Sequence, residues 1–101
     1  MQRLIEQPTG ESDVLDGGAR LGRVHYHLDV YQHFSDVENE PVPLSFEVEG
    51  RLTPLDRLDL ADLHRRGTEL TLHLADGRVL NFSIADELGR IRSTGRSLHT
   101  Q

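Results

Sequence analysis

The stretch RLGRVHYHLDVYQHF, Arg20–Phe34, alternates along nearly its whole length. Val24, Tyr26, Leu28, Val30 and Phe34 share one parity, and Arg23, His25, His27, Asp29, Tyr31 and His33 share the other. Successive strand side chains point to opposite faces, so this pattern predicts one long strand with a dry side and a wet side. It exceeds the usual strand of about five or six residues, and Gly22 is the expected place for a bend or bulge.

The wet side carries the chain's most suggestive chemistry. His25 and His27 lie two apart on one face, and Asp29 continues the row. Alternate strand residues lie roughly 6–7 Å apart, so both imidazoles and the carboxylate can converge on one divalent ion such as zinc. A neighbouring strand carrying Glu47 and Glu49 would add oxygens. Against this, any half-buried strand fills its wet face with polar residues, and nothing local fixes a second layer of ligand partners. The solvated face is therefore the leading expectation, and a metal site at His25, His27 and Asp29 is the alternative. A third use is proton sensing, because imidazole titrates near pH 6.5 when unperturbed.

After this strand, SDVENEPVP (35–43) holds three acids and two prolines and is expected to be an exposed acidic loop. Alternation resumes in LSFEVEGRL (44–52), with Leu44, Phe46, Val48 and Leu52 expected inward and Ser45, Glu47, Glu49 and Arg51 outward. The period then changes. Leu55, Leu58, Leu60 and Leu63 fit a helical stripe, with Asp56 as N-cap, Leu55 and Leu60 as staple, Arg65 and Arg66 at the C-terminal end and Gly67 past it. These signals predict a short helix near 57–66.

ELTLHLADGRVLNFSIAD (69–86) is a hairpin whose turn follows from its apolar pattern. A two-residue Asp76-Gly77 loop would set Leu72 against Asn81. A three-residue Ala75-Asp76-Gly77 loop sets Leu72 against Leu80 and Leu70 against Phe82, and register follows the hydrophobic pattern. The longer loop is therefore expected, with Gly77 left-handed in a glycine bulge. DELG (86–89) turns the chain into a last strand, RIRST (90–94), and 96–101 is expected to be a frayed tail. Before the long strand, RLIEQ (3–7) is a candidate strand, PTGESD (8–13) reads as turn or loop, and DVLDGGARLG (13–22) reads as a hairpin turning at Asp16-Gly17-Gly18.

The sum is a mainly β chain with one short helix between strands: a small antiparallel barrel or strongly coiled sheet, with an OB-like or SH3-like element order. At 101 residues one domain is expected, spanning 1–95. The expected core is Tyr26, Leu28, Val30, Phe46, Val48, Leu60, Leu63, Leu72, Phe82 and Ile84, with His25, His27, Glu47 and Glu49 mostly exposed.

Composition narrows the function. The chain has no cysteine, which removes disulfides, thiolate zinc sites and thiol catalysis. It has no apolar leader or membrane-length apolar run, so a cytoplasmic location without membrane association is expected. Residues 1–50 carry ten acids and three arginines, and residues 51–101 carry seven acids and eight arginines, giving −7 and +1 and a net −6. That field repels phosphate backbones, and the basic strip of Arg90, Arg92 and Arg96, with Arg90 and Arg92 expected on one strand face, lacks interleaved aromatics. No nucleophile elbow or phosphate loop is present, so no catalytic residue is assigned. The leading expectation is a non-catalytic protein-interaction module, its partner another protein or a second copy. A divalent-metal-binding domain is the alternative, and an OB-like nucleic-acid binder is third.

Overall fold

The computed structural model describes residues 1–35, 42–94 and 98–100. The chain is mainly β, with strands β1 (Gln2–Glu6), β2 (Thr9–Asp16), β3 (Ala19–Phe34), β4 (Pro43–Pro54), β5 (Leu70–His73), β6 (Arg78–Ile84), β7 (Arg90–Ser93) and β8 (His99–Thr100). One helix, α1 (Leu60–Arg66), lies between β4 and β5. The expected acidic loop falls on 36–41, outside the described residues.

All pairings are antiparallel, and they close into a ring: β3–β2–β5–β6–β7–β4 and back to β3. The ring is not evenly a barrel. β4 follows β3 from Val24↔Pro54 to Phe34↔Pro43, whereas β2 meets β5 only at Val14 and Leu15, and β7 meets β4 only over Glu49–Arg51. β3 is the spine. Its first half pairs with β2 (Thr9↔His27 to Asp16↔Ala19), and its last turns pair on the same edge with β1 (Gln2↔His33 to Glu6↔Val30). The β2 register slips between Val14↔Gly22 and Leu15↔Arg20, so the expected irregularity at Gly22 is a bulge.

The alternation of β3 is realised. Val24, Tyr26, Leu28 and Val30 are buried inside the ring with Val14, Val48, Leu52, Leu63, Leu70, Leu72, Leu80, Phe82, Ile84 and Ile91, and His25 and His27 are exposed. Burial of each large aliphatic or aromatic side chain contributes about 1.5–3 kcal/mol. The Tyr26 hydroxyl accepts a hydrogen bond from the Ala75 amide at 3.1 Å, so this buried ring ends on a satisfied polar contact. The β5–β6 hairpin has the expected register, Leu70↔Phe82 and Leu72↔Leu80. The Leu74 amide donates to the Arg78 carbonyl, the Gly77 amide donates to Leu74, and Gly77 has φ +92°, which is the three-residue loop with a left-handed glycine. Gly17 and Gly18, both at positive φ, turn β2 into β3.

Several expectations are corrected. PTGESD is not a loop, because Thr9–Asp13 pairs with Arg23–His27; its polar residues occupy ladder positions on a long strand that supplies the apolar side. The helix begins at Leu60, not 57, and its N-cap is Asp59, whose carboxylate accepts the Asp62 amide at 3.0 Å. Asp56 is committed elsewhere: it accepts the Arg23 amide and an Arg20 guanidinium N–H, each at 3.0 Å, tying the pre-helix segment to β3. With Asp59 as cap, the staple positions are Leu58, partly buried against the core, and Leu63, buried in it; Leu55 is exposed, and Leu60, expected in the core, is partly buried against it. Phe46 and Leu44 are exposed rather than buried, and Glu47 and Glu49 are half-buried rather than mostly exposed. Within the stretch expected to fray, of which 98–100 are described, His99 and Thr100 pair with Val79 and Arg78.

The exposed Phe46 marks the second part of the molecule. Beyond Val30 and Val48, the ends of β3 and β4 run past the ring with β1 alongside, as a three-stranded wing. The Cα envelope is correspondingly long, 50 × 27 × 20 Å. Met1, Leu4, Ile5, Val42, Leu44 and Phe46 are exposed there; Leu55 and Leu88 are the remaining exposed large apolar side chains among the described residues.

Candidate functional site

On the outside of the ring, β3, β4 and β7 present a charged groove of about 480 Å³. Cross-strand pairing builds it. His27 opposes Arg51, which opposes Arg90; Asp29 opposes Glu49, which opposes Arg92. Opposed residues share a face and alternate residues lie two apart along each strand, so the six side chains form a grid of two rows across three strands. Gly50 lies between the rows. A Cβ there would overlap the His27 carbonyl oxygen and come within 3.0 Å of the Leu28 Cα, so the missing side chain lets β4 close on β3 beneath the groove.

The charges are unevenly satisfied. Asp29 accepts the Gln7 side-chain amide at 2.9 Å and lies 3.7 Å from His27 Nε2. Asp86, in the turn between β6 and β7, accepts the Leu88 and Arg90 amides at 2.9 and 3.1 Å. The Arg90 amide first, then the Leu88 amide and the Arg90 and Arg51 charges, hold its carboxyl below the ordinary value against burial. Arg90 reaches Asp86 only at 4.0 Å. Arg51, Arg92 and Glu49 make no side-chain hydrogen bond or ion pair with a described residue.

The residues singled out in the sequence separate here. His27 and Asp29 enter the groove, while His25 lies one step outside it, opposite Glu11 and Thr53. His33 is further away in the wing, paired with Glu47 at 2.9 Å. No group of three His, Asp or Glu side chains among the described residues is placed to hold a metal ion. Arg90 and Arg92 share a face as expected, but their neighbours are Arg51 and Glu49, not aromatics. Arg51 and Asp86 were not foreseen. The outward parity of Arg51 was legible, but its meeting with Arg90 depends on β4 pairing with β7, a contact about forty residues apart in sequence.

No family model, curated protein or solved structure matches this chain. No helix among the described residues is long and apolar enough to cross a membrane.

Proposed function

We propose that the protein is a non-catalytic interaction module whose wing takes an extended segment of another protein by strand addition along β1. The observation that carries this reading is the coincidence of an open edge with unpartnered apolar side chains. β1 pairs only with β3 among the described strands, and Leu4 and Ile5 on it are 44% and 46% exposed. An unpaired strand edge is a template for another strand. β1 carries charge only at Arg3 and Glu6, and its register shift lies between Leu4 and Glu6. Charge chooses the occupant. A chain of net −6, with −7 in the half that supplies the wing, attracts a basic segment and opposes a second copy.

The test is a titration with a soluble eight-residue peptide alternating lysine and valine, read by amide hydrogen exchange. Slower exchange confined to β1, lost in Leu4→Glu at unchanged melting temperature, supports the proposal. An equal response to a glutamate–valine peptide, no response to either, or a concentration-dependent dimer through β1 overturns it.

A further inference from the structure

The groove is distinct from the wing, and we infer that it binds a small phosphate monoester bearing hydroxyl or amino groups. Its arginines hold the phosphate, and Glu49 on β4 and Asp29 on β3 receive the donors. Three observations lead there.

The first is an opposition of like charge. Arg51 stands directly across from Arg90. Like charges opposed across a sheet are destabilising. In a chain with seventeen acids and eleven arginines, carboxylates are in ample supply to break such a row. Yet neither Arg51 nor Arg92 makes an ion pair with a described carboxylate, although Glu49 opposes Arg92 across the sheet and the Arg51 charge acts on Asp86, and Arg90 reaches Asp86, which is engaged by backbone amides of its own turn, only at 4.0 Å. Guanidinium groups left unpaired in a concave site are placed for an anion from outside, and their fork geometry matches phosphate oxygens.

The second is polarity across the grid. Arg90 and Arg92 stand together on β7, Arg51 and Glu49 on the central β4, and Asp29 on β3, so the β7 end of the grid is basic and Asp29 marks the other end. Two strand spacings, roughly 10 Å, separate Asp29 from Arg92, with Glu49 between them. A ligand with phosphate on both ends would meet the carboxylates. One with hydroxyl or amino donors on its second end gives Glu49, which has no partner here, the hydrogen bonds it lacks. The third is size. About 480 Å³ suits a small metabolite, within the usual range for such sites, and the acids interrupt any continuous track for a nucleic-acid backbone.

The experiment uses the whole protein and three probes at matched ionic strength: inorganic phosphate, ribose 5-phosphate and a single-stranded oligonucleotide. Binding is followed by backbone amide shifts. Ribose 5-phosphate is expected to shift residues of β4, β7 and the Asp86 turn, and to bind at least tenfold more tightly than inorganic phosphate. Arg92→Gln, an exposed change, should weaken both at least tenfold with an unaltered melting temperature. Glu49→Gln should retain phosphate and lose the preference for the sugar phosphate. Arg51→Gln should leave the free protein as stable or more so, because it removes an opposed charge. The inference is overturned by shifts spread equally over Arg20, Arg23, Arg65 and Arg66, by retention of binding in Arg92→Gln, by tighter binding of the oligonucleotide, or by no preference for ribose 5-phosphate.

Discussion

β3 and β4 run through two regions with opposite fates. Within the ring, alternate residues of both strands are sealed: Val24, Tyr26, Leu28 and Val30 on β3, Val48 and Leu52 on β4. In the wing the same two strands continue, still paired as far as Gln32↔Phe46 and Phe34↔Pro43, and Phe46 is 48% exposed. Hydrogen-bonded pairing is common to both regions. What differs is the second layer. The ring sets β5, β6 and β7 across from β3 and β4, and the wing has no such cover among the described residues. Strand pairing fixes which face a side chain takes; burial needs a layer above that face.

The largest effect that would break this contrast is in the core. Phe82, fully buried opposite Leu70, should cost about 3–5 kcal/mol when changed to alanine. Phe46→Ala should cost less than about 1 kcal/mol, since half of that side chain is already in water. Chemical denaturation of the two variants decides it. Equal costs would mean that the wing is packed as the ring is.

Next comes the seam where β4 closes on β3. Gly50→Ala places a methyl group against the His27 carbonyl and the Leu28 Cα, both backbone and unable to swing aside. Overpacking of this kind costs about 1–3 kcal/mol. The amides of His27–Asp29 should lose hydrogen-exchange protection while those of β1 keep theirs. Unchanged protection at the seam would show that the strands separate there without cost.

The hairpin sets a smaller and cleaner test. No atom lies within 4 Å of a Cβ built at Gly77, so a substitution there meets only the backbone strain of φ +92°. Gly77→Val should destabilise by about 1–2 kcal/mol and Gly77→Asn by less, because asparagine tolerates the left-handed region. Equal melting temperatures for the two variants would reject the loop assignment.

These elements also mark what the sequence made legible. The parity of β3 and the loop of β5–β6 were readable because each rests on local periodicity and neighbouring residues. Asp56 was read as the helix cap, yet it is engaged by the Arg23 amide, a long-range partner, and Asp59 caps the helix instead. Thr9–Asp13 reads as a turn by composition, yet pairing with β3 overrides that propensity. Phe46 had the right parity, but no local pattern says where the second layer stops. The groove was half-visible: His27, Asp29, Glu49, Arg90 and Arg92 were each read as outward, but their meeting is a product of ring closure.

The smallest effect concerns the clasp that ties wing to ring. Arg78 on β6 donates to both carboxylate oxygens of Glu6 on β1, one of them at 2.9 Å, and also to Asp76. The hydrogen bonds from Arg78 hold both carboxyls below their ordinary values of 4.5 and 3.8, and the two acids raise the guanidinium in turn. Depressed carboxylate values mean that the unfolded chain takes up protons before the folded one. The clasp therefore contributes fully above about pH 5 and is lost as pH falls through 4 and below. Both acids are substantially exposed, so its worth is about 1 kcal/mol or less. Glu6→Gln should speed amide exchange in β1 at neutral pH, with the protection of Val24–Leu28 unaffected, and should flatten the acid dependence of β1 exchange. If β1 and the ring instead lose protection together on acidification, the wing and the ring unfold as one unit, and the distinction between them is one of exposure alone.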